Sequence, residues 1–521
     1  MLLSTSIILD ISLILTTTLF VFLFFAYWSL GYWSRKGLYD NNPVFFYGNA
    51  KKLLRRQQNI GEMWRDLYNN IKAKGLKHGG GSIMFVQVYV PVDLDLIKQI
   101  MQQDFQHFNS HGVYFHEKED PLSAHLFALS GSKWRNMRVK MTPTFTSGKM
   151  KMMFSRFVEC GEGLKKLMDK YSCSGEAIDI KEILQRFTID IISSCVFGLE
   201  CNTMENPGNE FATKGKSIFR PRTFKDFLRA VILFIIPHDL LRKINLRSTD
   251  YETEKYFLNV LKEIVQYREE NNVYRNDFMH LMLQLKNRGE VSDDRKLRSE
   301  GKATEGMITF NQLAAQAFVF FTAGFETSSA TMTFALYEIA IDKTLQKKMR
   351  KEIRTVLEKH GGKLTYEAIK EMELMGRVVE ETLRKYPVIA FIPRECTKDY
   401  QVPGTNVTIN KGTSVGIPVL GIHRDPEIYP DPEKFDPDRF LEKNKRSRHP
   451  FAWLPFGEGP RACIGLRFGL MQTKVGLASI LTNYDISLSK KTKVPIEFNP
   501  SGGPILNVKG DVWINISKHI D

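Results

Sequence analysis

The stretch that most restricts how this chain can fold is residues 456–465, FGEGPRACIG, close to the C-terminus. It places Cys463 at the end of a glycine-rich loop, directly before residues 466–481, whose periodicity predicts an amphipathic helix. The three glycines allow the backbone to approach a bulky planar group and to turn its amides toward the sulfur. A thiolate at this position would lie near a helix N-terminus, where the dipole and the free N–H groups favour negative charge. Such an arrangement is typical of an axial thiolate ligand to haem iron.

A single cysteine is more often a small buried hydrophobic residue than a ligand. The fixed order of Phe, Gly, Arg, Cys and Gly in this stretch favours the ligand, because it resembles the haem-binding signature of the cytochrome P-450 superfamily. The resemblance implies that Cys463 is the axial ligand of haem b, in a loop that also uses Phe456, Gly457 and Gly465 to bind the cofactor.

Length and charge restrict the class of protein further. A chain of 521 residues with 43% hydrophobic content can bury a large core, either as several domains or as one large enzyme. The six cysteines show neither a CxxC pair nor zinc spacing, so the other five are predicted to be reduced thiols. The net charge of +15 suits an anionic membrane surface or an acidic protein partner. Because no nucleic-acid-binding signature is present, a nucleic-acid partner is not expected.

Residues 11–30 contain no charge and are long enough to cross a bilayer, at about 1.5 Å per residue over roughly 30 Å. The segment lacks the short apolar core and small-residue cleavage site of a signal peptide. A buried core helix is the alternative. Positive residues follow the segment, beginning with Arg35 and Lys36, whereas only Asp10 and the N-terminus precede it. The positive-inside rule therefore predicts that everything after residue 35 lies in the cytosol.

Trp134 and Arg138 are four residues apart and share one face of a predicted helix. In the family, this pair hydrogen-bonds a haem propionate, and a guanidinium fits a carboxylate bidentately. The resemblance gives the same role to Arg394 and Arg461. His111 stands where relatives often carry an arginine, so its role is open. Neighbouring basic residues predict either a docking patch or ordinary solvated charge: Lys133, Arg135 and Lys140.

Residues 311–340 predict a long apolar helix that contains the sequence AGFET. A glycine at Gly324 leaves room for O₂ against the helix backbone. The family assigns proton delivery to an acid followed by a threonine, which implies catalytic roles for Glu326 and Thr327. A mid-helix threonine that bonds its own backbone is the common alternative.

Glu381 and Arg384 lie at i and i+3 on one predicted helix, just before Pro387. In the family, a third partner, here Arg439, completes a desolvated network that locks the region beneath the haem. Two further interpretations stay open. Residues 211–247 are either a membrane-dipping lid or core packing with a charged rim, and the phenylalanines at 318, 320 and 321 either line a pocket or pack the helix.

Five motifs match the family in order, and residues 267–285 are similar to the insect family-six group. The resemblance implies the cytochrome P-450 fold, mainly α with a smaller β-rich lobe and a single N-terminal transmembrane helix. Residues 1–30 are expected to be the membrane anchor, and residues 31–521 the catalytic domain.

The activity implied is that of a haem-thiolate monooxygenase in the endoplasmic reticulum membrane, acting on lipophilic small molecules such as plant toxins or insecticides. Its expected partners are NADPH–cytochrome P-450 reductase, cytochrome b5 and the lipid bilayer. The alternatives are a monooxygenase of an endogenous hormone or lipid, a haem-thiolate isomerase that needs no external electrons, and a haem-binding sensor or carrier.

Overall fold

Helices dominate the structure, a computed structural model that describes residues 5–219, 223–292, 306–501 and 503–520. The helices of the N-terminal half are α1 (Thr5–Leu30), α2 (Tyr32–Arg35), α3 (Lys51–Leu54), α4 (Ile60–Lys72), α5 (Leu94–Lys98), α6 (Gly131–Met141), α7 (Ser147–Ser174), α8 (Ile180–Ile192), α9 (Glu210–Ser217), α10 (Phe224–Ile235), α11 (His238–Lys243) and α12 (Tyr251–Glu270). Those that follow are α13 (Phe278–Arg288), α14 (Phe310–Ile341), α15 (Lys343–Lys359), α16 (Tyr366–Glu371), α17 (Glu373–Lys385), α18 (Val419–His423), α19 (Glu442–Arg446) and α20 (Leu466–Leu481).

The strands are short and form three small sheets. They are β1 (His78–Ile83), β2 (Val86–Pro91), β3 (Ile178–Asp179), β4 (Ile392–Glu395), β5 (Tyr400–Gln401), β6 (Thr408–Ile409), β7 (Ser414–Ile417), β8 (Tyr484–Leu488) and β9 (Trp513–Lys518). The largest sheet has the order β1-β2-β7-β4, and only β2 and β7 in it are parallel. The others are β3-β9-β8 and β5-β6.

Apolar side chains collect in two main cores. The larger core surrounds α14 and includes residues of α7, α8, α13, α17 and α20. The smaller core lies between the four-stranded sheet and helices α4 and α5. This division confirms the predicted architecture, mainly α with a smaller β-rich lobe.

α14 is the central helix and it positions the candidate site. Its 32 residues begin at a capping box in which Thr309 accepts from the Gln312 N–H. It ends at Asp342, whose carboxylate caps the next helix by accepting from Leu345 N–H. The helix is about 48 Å long at 1.5 Å per residue, so it crosses the whole body and packs on α8 and α20.

α1 extends the predicted apolar segment, and residues Leu9–Leu30 are long and apolar enough to cross a membrane. Most of its side chains are exposed, which argues against the alternative of a core helix. Its C-terminal end packs on the β1–β2 turn, where the ring of Phe85 lies 5.6 Å from that of Phe22. The Gln87 side chain donates to Ser29 O at 3.1 Å.

The sequence pattern predicts a helix over residues 93–103, capped by Asp93, and a β-strand over residues 84–89, and both have different bounds in the structure. The predicted helix 93–103 is capped by Asp93 as expected, but it widens from α5 into a π-helical turn over Gln99–Gln103. The predicted strand 84–89 begins two residues late because Met84, with φ of 53°, forms the hairpin turn.

Residues 211–247 fall into two parts that differ in burial, while residues 220–222 lie outside the described ranges, and dipping of the segment into the membrane stays a prediction. Phe211 is buried and its ring packs 5.4 Å from that of Phe257. In α10 and beyond, apolar side chains are exposed, among them Leu228, Phe234 and Ile244. The first part is therefore core, and the second presents an apolar surface.

Candidate haem-binding active site

The loop before α20 has a conformation that requires two of its glycines. Gly457 and Gly459 have positive φ angles of 67° and 75°, which side-chain-bearing residues rarely adopt. The Cys463 N–H donates to Phe456 O at 2.9 Å and closes the loop. Gly465 has φ of −89°, so the backbone does not require glycine there. The loop therefore ends with Cys463 three residues before α20, as predicted.

The side chain of Cys463 is accessible to solvent, but many protein atoms surround its thiol. Burial raises the pKa of this thiol above its ordinary value, and the Gly465 N–H and the charge of Arg138 lower it less. The backbone amides favour a thiolate as expected, but burial outweighs them. A metal cation would reverse the balance, because a coordinating thiol is deprotonated outright.

Three guanidinium groups gather beside the cysteine loop: Arg138, Arg394 and Arg461. Burial lowers the pKa of Arg394 to about 10 and that of Arg461 to about 9, and the neighbouring arginines lower the latter further. None of the ion pairs among the described residues involves these three side chains. Arg394 is 2% exposed, and its Nε has no hydrogen-bond partner within the described ranges. Buried positive charge of this kind favours an anionic ligand.

Trp134 and His111 complete the wall of this cluster. The Arg461 guanidinium lies 4.5 Å from the ring centroid of Trp134, a cation–π contact. His111 Nδ1 lies 2.8 Å from Phe127 O and 3.0 Å from Arg461 Nη1. Burial and the nearby arginines hold the pKa of His111 well below its usual value. The imidazole is therefore neutral and adds no charge to the cluster.

These donors fit the group that the sequence implies. Haem b has an iron that takes a thiolate and two propionate carboxylates that take guanidinium donors. Cys463 supplies the free thiol, and Arg394 has an orphaned donor beside two further cations. The sequence-predicted residues Trp134, Arg138, Arg394, Arg461 and Cys463 are thus brought together.

Most of α14 is buried, but Ala323 is exposed and Thr327, one turn later on the same face, is half-buried. The Thr327 hydroxyl donates to Ala323 O at 2.7 Å. This is the backbone bond expected of a mid-helix threonine, and a hydroxyl that donates there still has lone pairs to accept a hydrogen bond.

Glu326 occupies a different face of α14 and is buried. Its two carboxylate oxygens accept from the Gln185 side chain at 2.9 Å and from the Asn507 side chain at 2.7 Å. Sequence analysis missed both partners, which come from α8 and from the C-terminal region. In the described structure the acid therefore joins three segments.

Gly324 packs against α8. A Cβ added to it would lie 2.6 Å from Ile192 Cδ1, so the absent side chain permits close helix packing. The Gly324 carbonyl accepts from the Gln472 side chain of α20 at 3.2 Å. Its role in oxygen access stays a prediction. The phenylalanines at 318, 320 and 321 pack mainly on other core rings, which supports the interpretation as helix packing.

The predicted charge network lies beneath the loop. Glu381 and Arg384 are fully buried and form two bonds of 2.7 and 2.8 Å, and Arg439 Nε lies 3.5 Å from Glu381 Oε1. Arg384 also donates to His423 O at 3.0 Å. His423, which sequence analysis missed, accepts from the Leu454 N–H at 2.8 Å through Nε2. Burial lowers the pKa of His423 to about 3, so the ring is neutral and able to accept.

Comparison with known proteins agrees with this geometry. A family model described as cytochrome P-450 matches residues 40–513. Probable cytochrome P-450 6a23 of Drosophila melanogaster is 43% identical over 478 residues, covering 91% of this chain and 93% of that protein. Cytochrome P-450 6A1 of Musca domestica is 41% identical over 505 residues, covering 95% of each.

A further relative, cytochrome P-450 6a2 of Drosophila melanogaster, is 38% identical over 494 residues, or 94% of this chain and 96% of that protein. Relatives named in family six confirm the predicted resemblance. The chain belongs to the cytochrome P-450 family, the monooxygenases that bind haem through a cysteine thiolate.

Proposed function

We propose that Cys463 is the axial ligand and that the enzyme inserts one atom of O₂ into lipophilic small molecules, with electrons from NADPH through a reductase. The observation that carries this proposal is an accessible thiol beside two buried guanidiniums, Arg394 and Arg461, and the half-buried Arg138, none of which forms an ion pair within the described ranges. When bound, the haem supplies the oxygen chemistry, while the protein supplies the thiolate, the propionate donors and the proton path.

Arg138, Arg394 and Arg461 would hold the haem carboxylates and orient the cofactor, with Trp134 packed on Arg461. Phe456, Gly457 and Gly465 would shape the loop around the thiolate. The tight Cys463 N–H to Phe456 O bond fixes the sulfur relative to α20. These residues bind and orient the cofactor. The thiol of Cys463 loses its proton when it binds the metal, whereas the arginines keep to binding and orientation.

Arg394 offers a test of cofactor binding. Burial lowers its pKa to about 10, which corresponds to a cost of about 3 kcal/mol for the buried charge. Arg394→Met should therefore leave the haem-free protein as stable as before, or more so, and release haem about 10–100-fold faster. Transfer of haem to a haem-free acceptor protein measures the rate, and thermal unfolding measures stability.

Arg467→Met is the matched control, because Arg467 is exposed in the first turn of α20. The Arg467→Met substitution should change neither the rate of haem release nor the stability of the haem-free protein. A stability loss in haem-free Arg394→Met, with haem release unchanged, would show that Arg394 is structural rather than a haem ligand.

Thr327 and Glu326 are proposed to pass protons toward the oxygen site, with the helix at Gly324 leaving room for O₂. Thr327 is supported by its half-buried hydroxyl next to exposed Ala323. Glu326 would have to leave Gln185 and Asn507 to take part.

We expect Thr327→Ala to uncouple the reaction, because the hydroxyl that positions the proton is lost. Product formed per NADPH should fall on the order of tenfold or more, and hydrogen peroxide should rise to match. Thr331→Ala is the control, since Thr331 makes the same bond to a carbonyl four residues earlier, at 2.8 Å, but is buried. Unchanged product per NADPH in Thr327→Ala would remove this role.

The electron donor is proposed to be NADPH–cytochrome P-450 reductase, with cytochrome b5 as a second donor, docking on α6. Support comes from basic side chains there, where Arg135 is exposed and Lys133 pairs with Glu117 at 2.6 Å. Residues 1–30 are proposed to anchor residues 31–521 in the endoplasmic reticulum membrane, with the catalytic domain in the cytosol. An exposed apolar α1 followed by basic residues supports this arrangement.

Foreign lipophiles, such as plant toxins or insecticides, are the proposed substrates, on the family-six resemblance. A product screen of the protein with reductase, against foreign compounds and endogenous hormones and lipids, tests this proposal. Turnover of one endogenous steroid alone would overturn it. Turnover without NADPH would favour an isomerase, and substrate-free assays that consume no NADPH would favour a sensor or carrier.

A further inference from the structure

Away from the cysteine loop, one buried carboxylate joins two segments that are distant in sequence. Asp120 is 0% exposed, and its Oδ2 accepts from Ser248 N–H and Ser248 Oγ, each at 2.8 Å, and from Thr249 N–H at 2.9 Å. Nearby, the Tyr114 hydroxyl donates to Leu246 O at 2.6 Å. We call Asp120 with Ser248 and Thr249 the Asp120 clasp. It fastens the connection between α11 and α12 to the loop before α6.

That loop is also bound to the candidate active site. Its Leu126 N–H donates to the Gln316 side chain of α14 at 2.8 Å. Its Phe127 O accepts from Arg461 Nη1 at 3.3 Å. The loop is thus one wall of the site, and the clasp holds the α11–α12 connection against that wall.

A second carboxyl group, Glu254 in the first turn of α12, is 5% exposed and lies against Asp120. Its Oε1 pairs with Arg247. Glu254 Oε2 and Asp120 Oδ1 are both buried, and neither has a hydrogen-bond donor among the described residues. Two carboxyl groups can bond to each other only when one proton lies between them.

The charges around the pair agree with a shared proton. Burial, and then the bond to Asp120, raises the pKa of Glu254 to about 7, although Arg247 opposes the change. Burial also acts to raise the pKa of Asp120, but its bonds to Glu254, Ser248 and Thr249 hold that pKa below its ordinary value. The proton therefore belongs mainly to Glu254.

We propose that Asp120 and Glu254 share one proton that keeps the clasp closed, and that loss of this proton opens the α11–α12 connection away from the active-site wall. With the proton gone, two carboxylates face each other in a buried position and repel. The inference depends on the fold, so it stands or fails separately from the proposed monooxygenase substrates and partners.

Other ionisable groups near the pair do not titrate in the same range. Burial lowers the pKa of His125 to about 4, lowers that of His238 and raises that of Tyr114, so all three are neutral between pH 7 and 8. Guanidinium groups around the clasp come from three segments. Arg229 of α10 donates to Arg247 O at 3.0 Å, Arg242 of α11 acts on Tyr114, and Arg247 before α12 pairs with Glu254.

Hydrogen exchange of the full-length, haem-loaded protein tests the proposal. If Glu254 has a pKa of about 7 in the closed clasp and 4.5 once open, proton linkage makes opening about tenfold more favourable at pH 8 than at pH 6. Exchange of residues 246–250, corrected for the intrinsic pH dependence of amide exchange, should rise by this factor. In Glu254→Gln, a neutral side chain that still donates to Asp120, the corrected rate should be the same at both pH values.

Arg247→Met separates a shared proton from a merely structural contact. Arg247 favours ionised Glu254, so its removal should move the exchange transition to higher pH without abolishing it. Arg242→Met, which breaks an exposed pair with Asp239, should leave the transition in place. A flat profile in the parent protein, an equal rise in Glu254→Gln, or an unmoved transition in Arg247→Met would each overturn the proposal.

Discussion

Replacing Cys463 with alanine is expected to abolish the red-shifted Soret band that marks thiolate coordination in the reduced, carbon monoxide-treated protein. Product formation should fall to background, because alanine leaves no sulfur to bind the iron. Haem retained through Arg138, Arg394 and Arg461 would still absorb, but without the thiolate signature. The position of the Soret band in the difference spectrum therefore reports thiolate coordination, whereas its total absorption reports how much haem is bound.

Cys173→Ala is the control for this experiment, because Cys173 is also an exposed thiol but lies near the end of α7. It should keep the band and the activity. Cys396→Ala tests a buried thiol that donates to Lys398 O at 2.9 Å, and it should also keep the band. If Cys463→Ala retained the band, the ligand would be another residue and the proposed site would be wrong.

Features set by local sequence could be predicted closely. The helix over residues 466–481 has the predicted bounds, and α14 exceeds its predicted range by one residue at each end. Both are long apolar or amphipathic runs whose ends follow from capping and loop residues. The motifs that predict Trp134, Arg138, Arg394 and Arg461 as propionate donors are specific, and the structure brings these side chains together from three separate segments.

Long-range pairs could not be predicted, because nothing local marks them. Glu326 is bonded to Gln185 and Asn507, which are 141 and 181 residues away. The position that a side chain of Gly324 would occupy is filled by Ile192 of another helix. Asp120 and Ser248 meet only because α11 and α12 bring the connection back onto the loop. The sequence predicts backbone amides that favour the thiolate of Cys463, but it does not predict how deeply the thiol is buried. In the structure, burial raises the pKa of this thiol more than the amide lowers it.

The second large effect is expected at the buried charge network. Glu381→Gln should destabilise the protein by about 3–5 kcal/mol, because Arg384 is then buried without its carboxylate. Chemical unfolding measures this loss, and the haem content of purified protein should fall with it. The double variant Glu381→Met with Arg384→Met should be less destabilised than either single substitution, since the fully buried charge of Arg384 is removed together with its partner. Arg439 also loses Glu381, but it is partly exposed and still donates to Asp431 O at 2.9 Å.

Arg377→Met on the same helix is the matched control. Arg377 pairs with Asp438 in the same turn that carries Arg439, but its side chain is 23% exposed and that of Asp438 is 69% exposed. Its removal should cost less than about 1 kcal/mol, as at other surface pairs. An equal loss of stability in Glu381→Gln and Arg377→Met would mean that burial does not set the strength of the Glu381–Arg384 network.

The reason that haem content should fall with stability lies in one chain of contacts. Arg384 binds the carbonyl of His423, and the imidazole of His423 accepts from the N–H of Leu454, nine residues before Cys463. Loss of the carboxylate frees Arg384 to move and withdraws a donor from that carbonyl. Haem loss should therefore precede global unfolding in Glu381→Gln, whereas Arg377→Met should lose haem only as it unfolds. If haem loss and global unfolding coincided in both variants, the network would support the fold without affecting the cysteine loop.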